Sequence, residues 1–320
     1  MRIPLCTVGD QLAIDGGATL MPPSRTERNA AGEQMGDLGT DFSAWIGRQE
    51  STDDDLGMAA ALAAAATLDD ASQTFTCGSA LPPLWHWFYF LPRVPQASLG
   101  VDGHPQRGGF MPPIPFPRRM FAGARLRFHS PLLLGQPARR VATIRHVRLK
   151  SGRSGSLAFV SLHYGYHQGD RLCIDEEQDI VYREPGPALP APPVVDWPPL
   201  PASACARIVT PDPRLLFRFS ALTFNAHRIH YDRPYAIDGE GYPGLVVQGP
   251  LTAVLLMELL RRQVTQPVKE YSFRGLAPLF DLAPFRLVCT PEEGGYALAA
   301  QGPDGTLAMS ARASLAEAGR

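Results

Sequence analysis

Short apolar or alternating runs separated by turn residues fill most of the chain beyond residue 120. Residues 124–132, 141–149, 156–166 and 172–183 carry such runs, divided by Gly135-Gln-Pro, Lys150-Ser-Gly-Arg-Ser-Gly and Gln168-Gly-Asp. This spacing predicts antiparallel strands joined by short turns. A second series follows at 270–274, 285–289, 295–301 and 307–315, with turns at Pro291-Glu-Glu-Gly-Gly and Gly302-Pro-Asp-Gly. Each series is preceded by a helix. Residues 58–68 form an alanine-rich run behind Asp53, Asp54 and Asp55, acids of the kind that stabilise a helix N-terminus. Residues 252–262 make the second. Between Leu251 and Leu260 the only polar interruptions are Thr252 and Glu258, so this helix has to be buried on all sides.

A helix apolar all round, in a unit whose other elements are strands, is naturally buried by a curved antiparallel sheet wrapped around it. The pattern predicts an α+β fold, a double hotdog in which two antiparallel β-sheets each wrap a central α-helix. A helix laid on one face of an open sheet leaves a similar record. The 320 residues exceed what one compact core usually holds, and the boundary is marked by proline. In Pro185-Gly-Pro-Ala-Leu-Pro-Ala-Pro-Pro and onward to Pro201, fixed φ angles and missing N–H donors favour an extended, semi-rigid spacer. The expected organisation is a leader of no assignable role at 1–38, an N-terminal hotdog at 39–184, a Pro-rich linker at 185–202 and a C-terminal hotdog at 203–320. Arg127-Phe-His-Ser-Pro-Leu resembles Ser272-Phe-Arg followed by Pro278-Leu279, a weak internal repeat offset by two residues.

Thirty basic residues stand against 31 acidic ones, which leaves no global field to hold nucleic acid or an anionic membrane. No apolar run approaches the roughly 18 residues of a membrane helix. Five scattered cysteines, odd in number and without a Cys-x-x-Cys pair, fit reduced thiols in a cytoplasmic protein.

The densest cluster of titratable side chains is Asn225-Ala-His-Arg-Ile-His-Tyr-Asp232. Gly249 follows in Gly244-Leu-Val-Val-Gln-Gly-Pro-Leu251, where a Gly-Pro pair opens the buried helix. Glycine lets a substrate approach the backbone, and free amides at a helix start can receive an oxyanion.

The string from Phe219 to Ala236, with Gly244-Leu-Val-Val-Gln-Gly-Pro250 after it, resembles the MaoC-like R-specific enoyl-CoA hydratases. Their motif is Asp-x-Asn-Pro-x-His, followed by a His-Gly pair at the start of the hotdog helix. The wording is most similar to the double-hotdog branch of itaconyl-CoA and mesaconyl-C4-CoA (3-methylfumaryl-CoA) hydratases and hydroxyacyl-thioester dehydratases. Leu81-Pro-Pro-Leu-Trp-His-Trp-Phe-Tyr-Phe-Leu91, Gly109-Phe-Met-Pro-Pro-Ile-Pro-Phe-Pro-Arg-Arg-Met120 and Glu177-Gln-Asp-Ile-Val-Tyr-Arg183 look like its N-terminal half, so the resemblance runs from about residue 39 to the end. It implies a hydro-lyase adding water reversibly across the Cα=Cβ bond of an enoyl-CoA thioester, here a C5 dicarboxylyl-CoA. It implies no metal or redox cofactor, CoA being part of the substrate. A small-molecule partner is expected, and a homo-oligomer is allowed.

Carried over residue by residue, the family's catalytic histidine falls on His230, its oxyanion-hole amide on Gly249 and its catalytic aspartate on Asn225. The last is a departure, because an amide cannot accept a proton at neutral pH. On this reading His230 takes the proton of water and returns one to Cα, Asn225 holds the water, and the Gly249 amide receives the enolate oxygen. Gln248 stands where the family often has His. Arg228 is a candidate grip for a substrate carboxylate or the partner of Asp232. Arg118 and Arg119 are candidates for CoA phosphates. His227, His230 and Asp232 have a metal-like spacing without a further ligand, and Asp232, Asp238 and Glu240 are the nearest substitute bases. The aromatic run from Trp85 to Phe90 reads first as core. The rival functions are a hotdog thioesterase, which would release free thiol, and a non-catalytic acyl-thioester binding protein.

Overall fold

The computed structural model describes residues 41–70, 74–152 and 155–316; the expected leader at 1–38 lies outside them. Ten strands form one antiparallel sheet: β1 (Gln49–Asp54), β2 (Arg118–Phe128), β3 (Ala138–Gly152), β4 (Gly155–Gln168), β5 (Arg171–Arg183), β6 (Cys205–Val209), β7 (Val268–Gly275), β8 (Phe285–Glu292), β9 (Gly295–Gln301) and β10 (Leu307–Leu315). Their spatial order is β1-β3-β4-β5-β2-β7-β10-β9-β8-β6. Adding five to each strand of the first half gives its equivalent in the second, in mirrored order from the far edge. The weak repeat in the sequence falls on equivalent strands that also pair: Ala124 faces Phe273 and Leu126 faces Tyr271 across the β2–β7 seam. This is the double hotdog, with both halves in one compact unit, 42–320.

The helix predicted at 252–262 is α3, so labelled because α1 (Met58–Thr67) and α2 (Pro213–Leu222) precede it; it runs Gly249–Arg261. Every residue from Leu251 to Leu260 is buried, and each leucine taken fully from water contributes about 1.5–3 kcal/mol. Its one acid, Glu258, is satisfied rather than exposed. Arg261 donates to both carboxylate oxygens at 2.7 and 2.9 Å, and Trp85 Nε1 donates from the first half at 2.8 Å.

The aromatic run is core, as its composition suggested. Trp85–Phe88 is a single 3-10 turn packed beside α1. Behind it Glu176, with no exposed surface, accepts from Trp87 Nε1 (3.0 Å), Tyr166 Oη (2.9 Å) and Gln178 Nε2 (2.7 Å), with His86 Nε2 at 3.1 Å. Burial raises the affinity of this carboxyl for a proton, but these donors outweigh it and hold the group below its ordinary range. Both halves thus set a buried glutamate against an indole.

One local expectation is corrected. Asp53, Asp54 and Asp55 do not head α1, whose N-cap is Gly57 with no acid in the first turn. Asp53 and Asp54 belong to β1, where Asp53 pairs with Arg139 and Asp54 accepts the amides of Leu56 and Phe90. Edge strands β1 and β6 and helix α2 were not foreseen. The segment after Arg183 crosses without regular structure and is tied down by backbone bonds, Leu189 N to Gly241 O and Asp196 N to Pro303 O, and by Trp197 Nε1 to Gly302 O.

Candidate active site

Asp212 organises the approach to the site. Its carboxylate accepts the amides of Arg214 (2.8 Å) and Leu215 (3.1 Å), and Pro213 takes the first position of α2. After α2 the chain reverses at Phe224, a left-handed residue with φ 49°. Asn225 Oδ1 then accepts the amide of His227 at 3.1 Å, which feeds the 3-10 turn Arg228–His230.

His230 is buried, with its Nδ1 2.7 Å from the carbonyl oxygen of Val246. A carbonyl only accepts, so Nδ1 carries the proton and Nε2 keeps its lone pair. The amide of Val246 bonds the carbonyl of Ile229 at 3.0 Å, clamping the same two segments together. Gly249 opens α3 three residues beyond Val246, with Pro250 behind it. First-turn amides have no partner within a helix, and the dipole there favours negative charge. At Gly249 the nearest atoms to an added Cβ belong to Phe121 of β2, 3.7 Å away, so the first half walls this helix start.

A second group of ionisable side chains meets His230. The ring of His227 stands perpendicular to it at 5.3 Å between centroids and lies against the ring of His104 at 4.1 Å. His227 Nε2 is 3.4 Å from Glu240 Oε1, and His104 Nδ1 is 3.0 Å from Asp102 Oδ2. Desolvation, with the charges of His227 and His104 and against the Val246 bond, lowers His230 to about 3. Burial and the nearby Arg119 lower His104 to about 3 against the pull of Asp102. Burial raises Asp102, but His104 and His227 bring it down to about 2, an ionised carboxylate.

The other candidate residues are committed in ways that the sequence left open. Arg228 donates to Asp232 Oδ2 through Nε (2.9 Å) and Nη2 (2.8 Å) and to the carbonyl of Val101 through Nη1, which makes it an ion-pair residue rather than a free grip on a carboxylate. Gln248, almost fully buried, donates to Leu216 O and Ser220 Oγ, both at 2.9 Å, so its amide nitrogen is spent on α2; its Oε1 is buried without a partner among the described residues. Arg118 is buried and donates to the carbonyls of Glu240 and Gly186, which removes it from contact with CoA phosphates. Arg119 is half-buried, acts on His104, and has no carboxylate partner among the described residues. Asp232, held by Arg228 and accepting the Tyr235 amide, is structural.

The metal-like spacing of His227, His230 and Asp232 does not become a cluster. Donor atoms of Asp102, His104 and His227 instead lie within 4.8 Å of one another. Asp102 and His104 were missed in the sequence. They sit in Gly100-Val-Asp-Gly-His-Pro105, a loop whose single histidine has no spacing signal, over a hundred residues from the motif it joins.

Comparisons with known proteins agree with this architecture. The model of the hydroxyacyl-thioester dehydratase type 2 family matches residues 84–281. The mesaconyl-C(4)-CoA hydratase of Chloroflexus aurantiacus is 65% identical over 275 residues, 86% of this chain and 98% of that protein. The mitochondrial hydroxyacyl-thioester dehydratase type 2 of Schizosaccharomyces pombe is 30% identical over 68% of this chain and 79% of its own length. Among solved structures, HtdX of Mycobacterium tuberculosis superposes with a TM-score of 0.61 at 18% identity, covering 84% of this chain and all of that one. A MaoC-like dehydratase does so at 0.64 and 11% identity, covering 86% of this chain and 99% of the other. These last two likenesses concern the fold. The chain belongs to the hydroxyacyl-thioester dehydratase type 2 family. Among the described residues no helix is long and apolar enough to cross a membrane.

Proposed function

We propose that this chain hydrates an enoyl-CoA thioester reversibly and that its substrate is mesaconyl-C4-CoA, the C5 dicarboxylyl thioester named for the Chloroflexus aurantiacus relative. The observation that carries this reading is the 65% identity spanning 98% of that hydratase. The fixed tautomer of His230, bonded to the segment that leads into α3, supports it independently.

Water adds to the β-carbon of a conjugated thioester in three coupled events. His230 Nε2 takes a proton from water as the oxygen bonds to Cβ. The π electrons move onto the thioester carbonyl, where the Gly249 amide meets the growing charge, an interaction typically worth about 3–4 kcal/mol of barrier. The imidazolium then returns its proton to Cα, so water is consumed and His230 ends neutral, as it began. Both additions come from one face, a syn hydration. Asn225, whose Oδ1 is engaged by His227, has its amide N–H groups left to donate to the water oxygen.

In mesaconyl-C4-CoA the β-carbon bears a methyl group and the free carboxylate. Arg119, half-buried and close enough to act on His104, is an arginine suited to that carboxylate or to a CoA phosphate. The scheme uses no metal or redox cofactor. The test is turnover of mesaconyl-C4-CoA by purified protein, followed as loss of enoyl-thioester absorbance. A hydrated CoA thioester is the expected product; release of free CoA thiol would assign a thioesterase instead.

A further inference from the structure

We propose that His104, oriented by Asp102, is a second catalytic imidazole that holds the attacking water together with His230, filling the place left open by the missing carboxylate at position 225. The proposal rests on the hydration reading above and adds a residue pair from the opposite half of the chain.

A water about to lose a proton is best fixed by acceptors for its O–H groups. In the resemblance set out above, an aspartate and a histidine share that task. Asn225 cannot replace the aspartate, because a neutral amide does not take a proton, and its one acceptor atom already receives the His227 amide. The histidine cluster contains a ready acceptor. Asp102 is ionised and only accepts, so His104 donates to it through Nδ1 at 3.0 Å and keeps a lone pair on Nε2. His230 is in the same state, with Nδ1 bound to a carbonyl and Nε2 free. Two imidazoles of matched tautomer, half-buried His104 and buried His230, thus flank His227 at 4.1 and 5.3 Å between ring centroids, and the charge of His104 acts on His230.

The loop carrying His104 is built onto the site. Asp102 O accepts the amide of Arg228 at 2.9 Å, and Val101 O accepts Arg228 Nη1 at 3.1 Å. Gly103, at φ +89°, lies so close that an added Cβ would sit 1.8 Å from the carbonyl oxygen of Ala226. Asp102 Oδ1 also accepts the amide of His104, which fixes the turn. The groups facing this pair are Arg119 from β2, His227 and His230 from the 3-10 turn, and Glu240 and Tyr235 from the segment after it. The one carboxylate among them, Glu240, contacts His227 rather than His104. No extra proton is needed: the proton leaving water still passes to His230 and returns to Cα, while His104 accepts a hydrogen bond throughout.

Asp102 is a positioning residue in this scheme, and the test separates its role from a structural one. His104→Ala and His104→Gln are expected to lower kcat by about 100-fold with KM within threefold of wild type. Asp102→Asn keeps the turn-forming carbonyl but loses the anion, and is expected to cost about tenfold in kcat. Adding Asn225→Asp to His104→Ala returns a carboxylate to the water and is expected to restore at least tenfold. Full activity in both His104 variants, or an unrescued loss in the double variant, overturns the proposal. If wild type fails to hydrate any enoyl-CoA, the functional reading falls; if wild type turns over and the His104 variants keep pace, only this inference does.

Discussion

His230 and Val246 are joined side chain to backbone by a hydrogen bond of 2.7 Å, and that bond determines what the imidazole can do. It fixes the tautomer, aims Nε2 away from the backbone, and ties the base to the strand of chain that leads into Gly249. The imidazole proposed as base and the amide proposed to receive the oxyanion are therefore tied to one short segment, Val246 to Gly249, which Phe121 of β2 walls from the other half.

The depressed proton affinity of His230 sets the pH dependence. Only the neutral imidazole accepts a proton, and burial brings its pKa from 6.5 down to about 3. The value of kcat/KM is predicted to stay level from pH 8 down to about pH 5.5, where an unperturbed histidine would already be mostly protonated. An acid limb centred at 6.5 would contradict this.

Stability responds to the same groups in the opposite region. His104 and His230 bind protons less readily folded than unfolded, so their contribution is complete above the unfolded value near 6.5 and is lost as pH falls towards the folded one. Below pH 6.5 each should cost about 1.4 kcal/mol of stability per pH unit. Melting temperature is predicted to fall steeply from pH 6.5 to 4.5, and less steeply in His104→Gln. Equal slopes would show that His104 does not resist protonation in the fold.

Trp85→Phe removes the indole donor from buried Glu258 while leaving Arg261 in place. A lost partner on a buried charged group costs about 1–3 kcal/mol. Denaturant unfolding is expected to register that loss, with kcat per folded molecule unchanged. An unaltered midpoint would mean that Arg261 alone satisfies the acid.

Gly103→Ala forces a methyl group into the Ala226 carbonyl and demands a left-handed alanine. Loss of several-fold in kcat together with a lower melting temperature is predicted, because the clash lies where the first-half loop seats on the histidine turn. A variant with wild-type kinetics would show that this seating is irrelevant to turnover.

Dialysis against a chelator is predicted to leave turnover unchanged, since the proposed steps use only His230, His104, Asn225, Gly249 and water. The place to watch is the trio Asp102, His104 and His227. Activity lost on chelation and restored by a divalent ion would replace the proposed chemistry.

Much of this architecture was legible because it is written locally. The buried helix appears as an apolar run interrupted only by Thr252 and Glu258, and strands β9 and β10 match their predicted ranges residue for residue. The elements that escaped lack that signature. In β1, Gln49-Glu-Ser-Thr-Asp-Asp54 is wholly polar because it is a sheet edge. Helix α2 did carry a readable signal, the Asp212-Pro213 start with Leu216, Phe219 and Ser220 buried on one face. The string from Asn225 to His230 stood out as a motif. Asp102 and His104 did not, since only the fold brings their loop to it; likewise the commitments of Arg118 and Gln248 depend on distant carbonyls and a hydroxyl that no spacing reveals, whereas the pairing of Arg228 with Asp232 lay within the motif.

The central claim is that a neutral imidazole at position 230 activates water beside the start of α3. The most direct measurement follows enoyl-thioester absorbance of mesaconyl-C4-CoA with wild type and His230→Ala, after confirming that both melt cooperatively. Conversion by wild type and a fall in kcat of at least 100-fold in the variant are the predicted results. Undiminished turnover by folded His230→Ala would contradict the account.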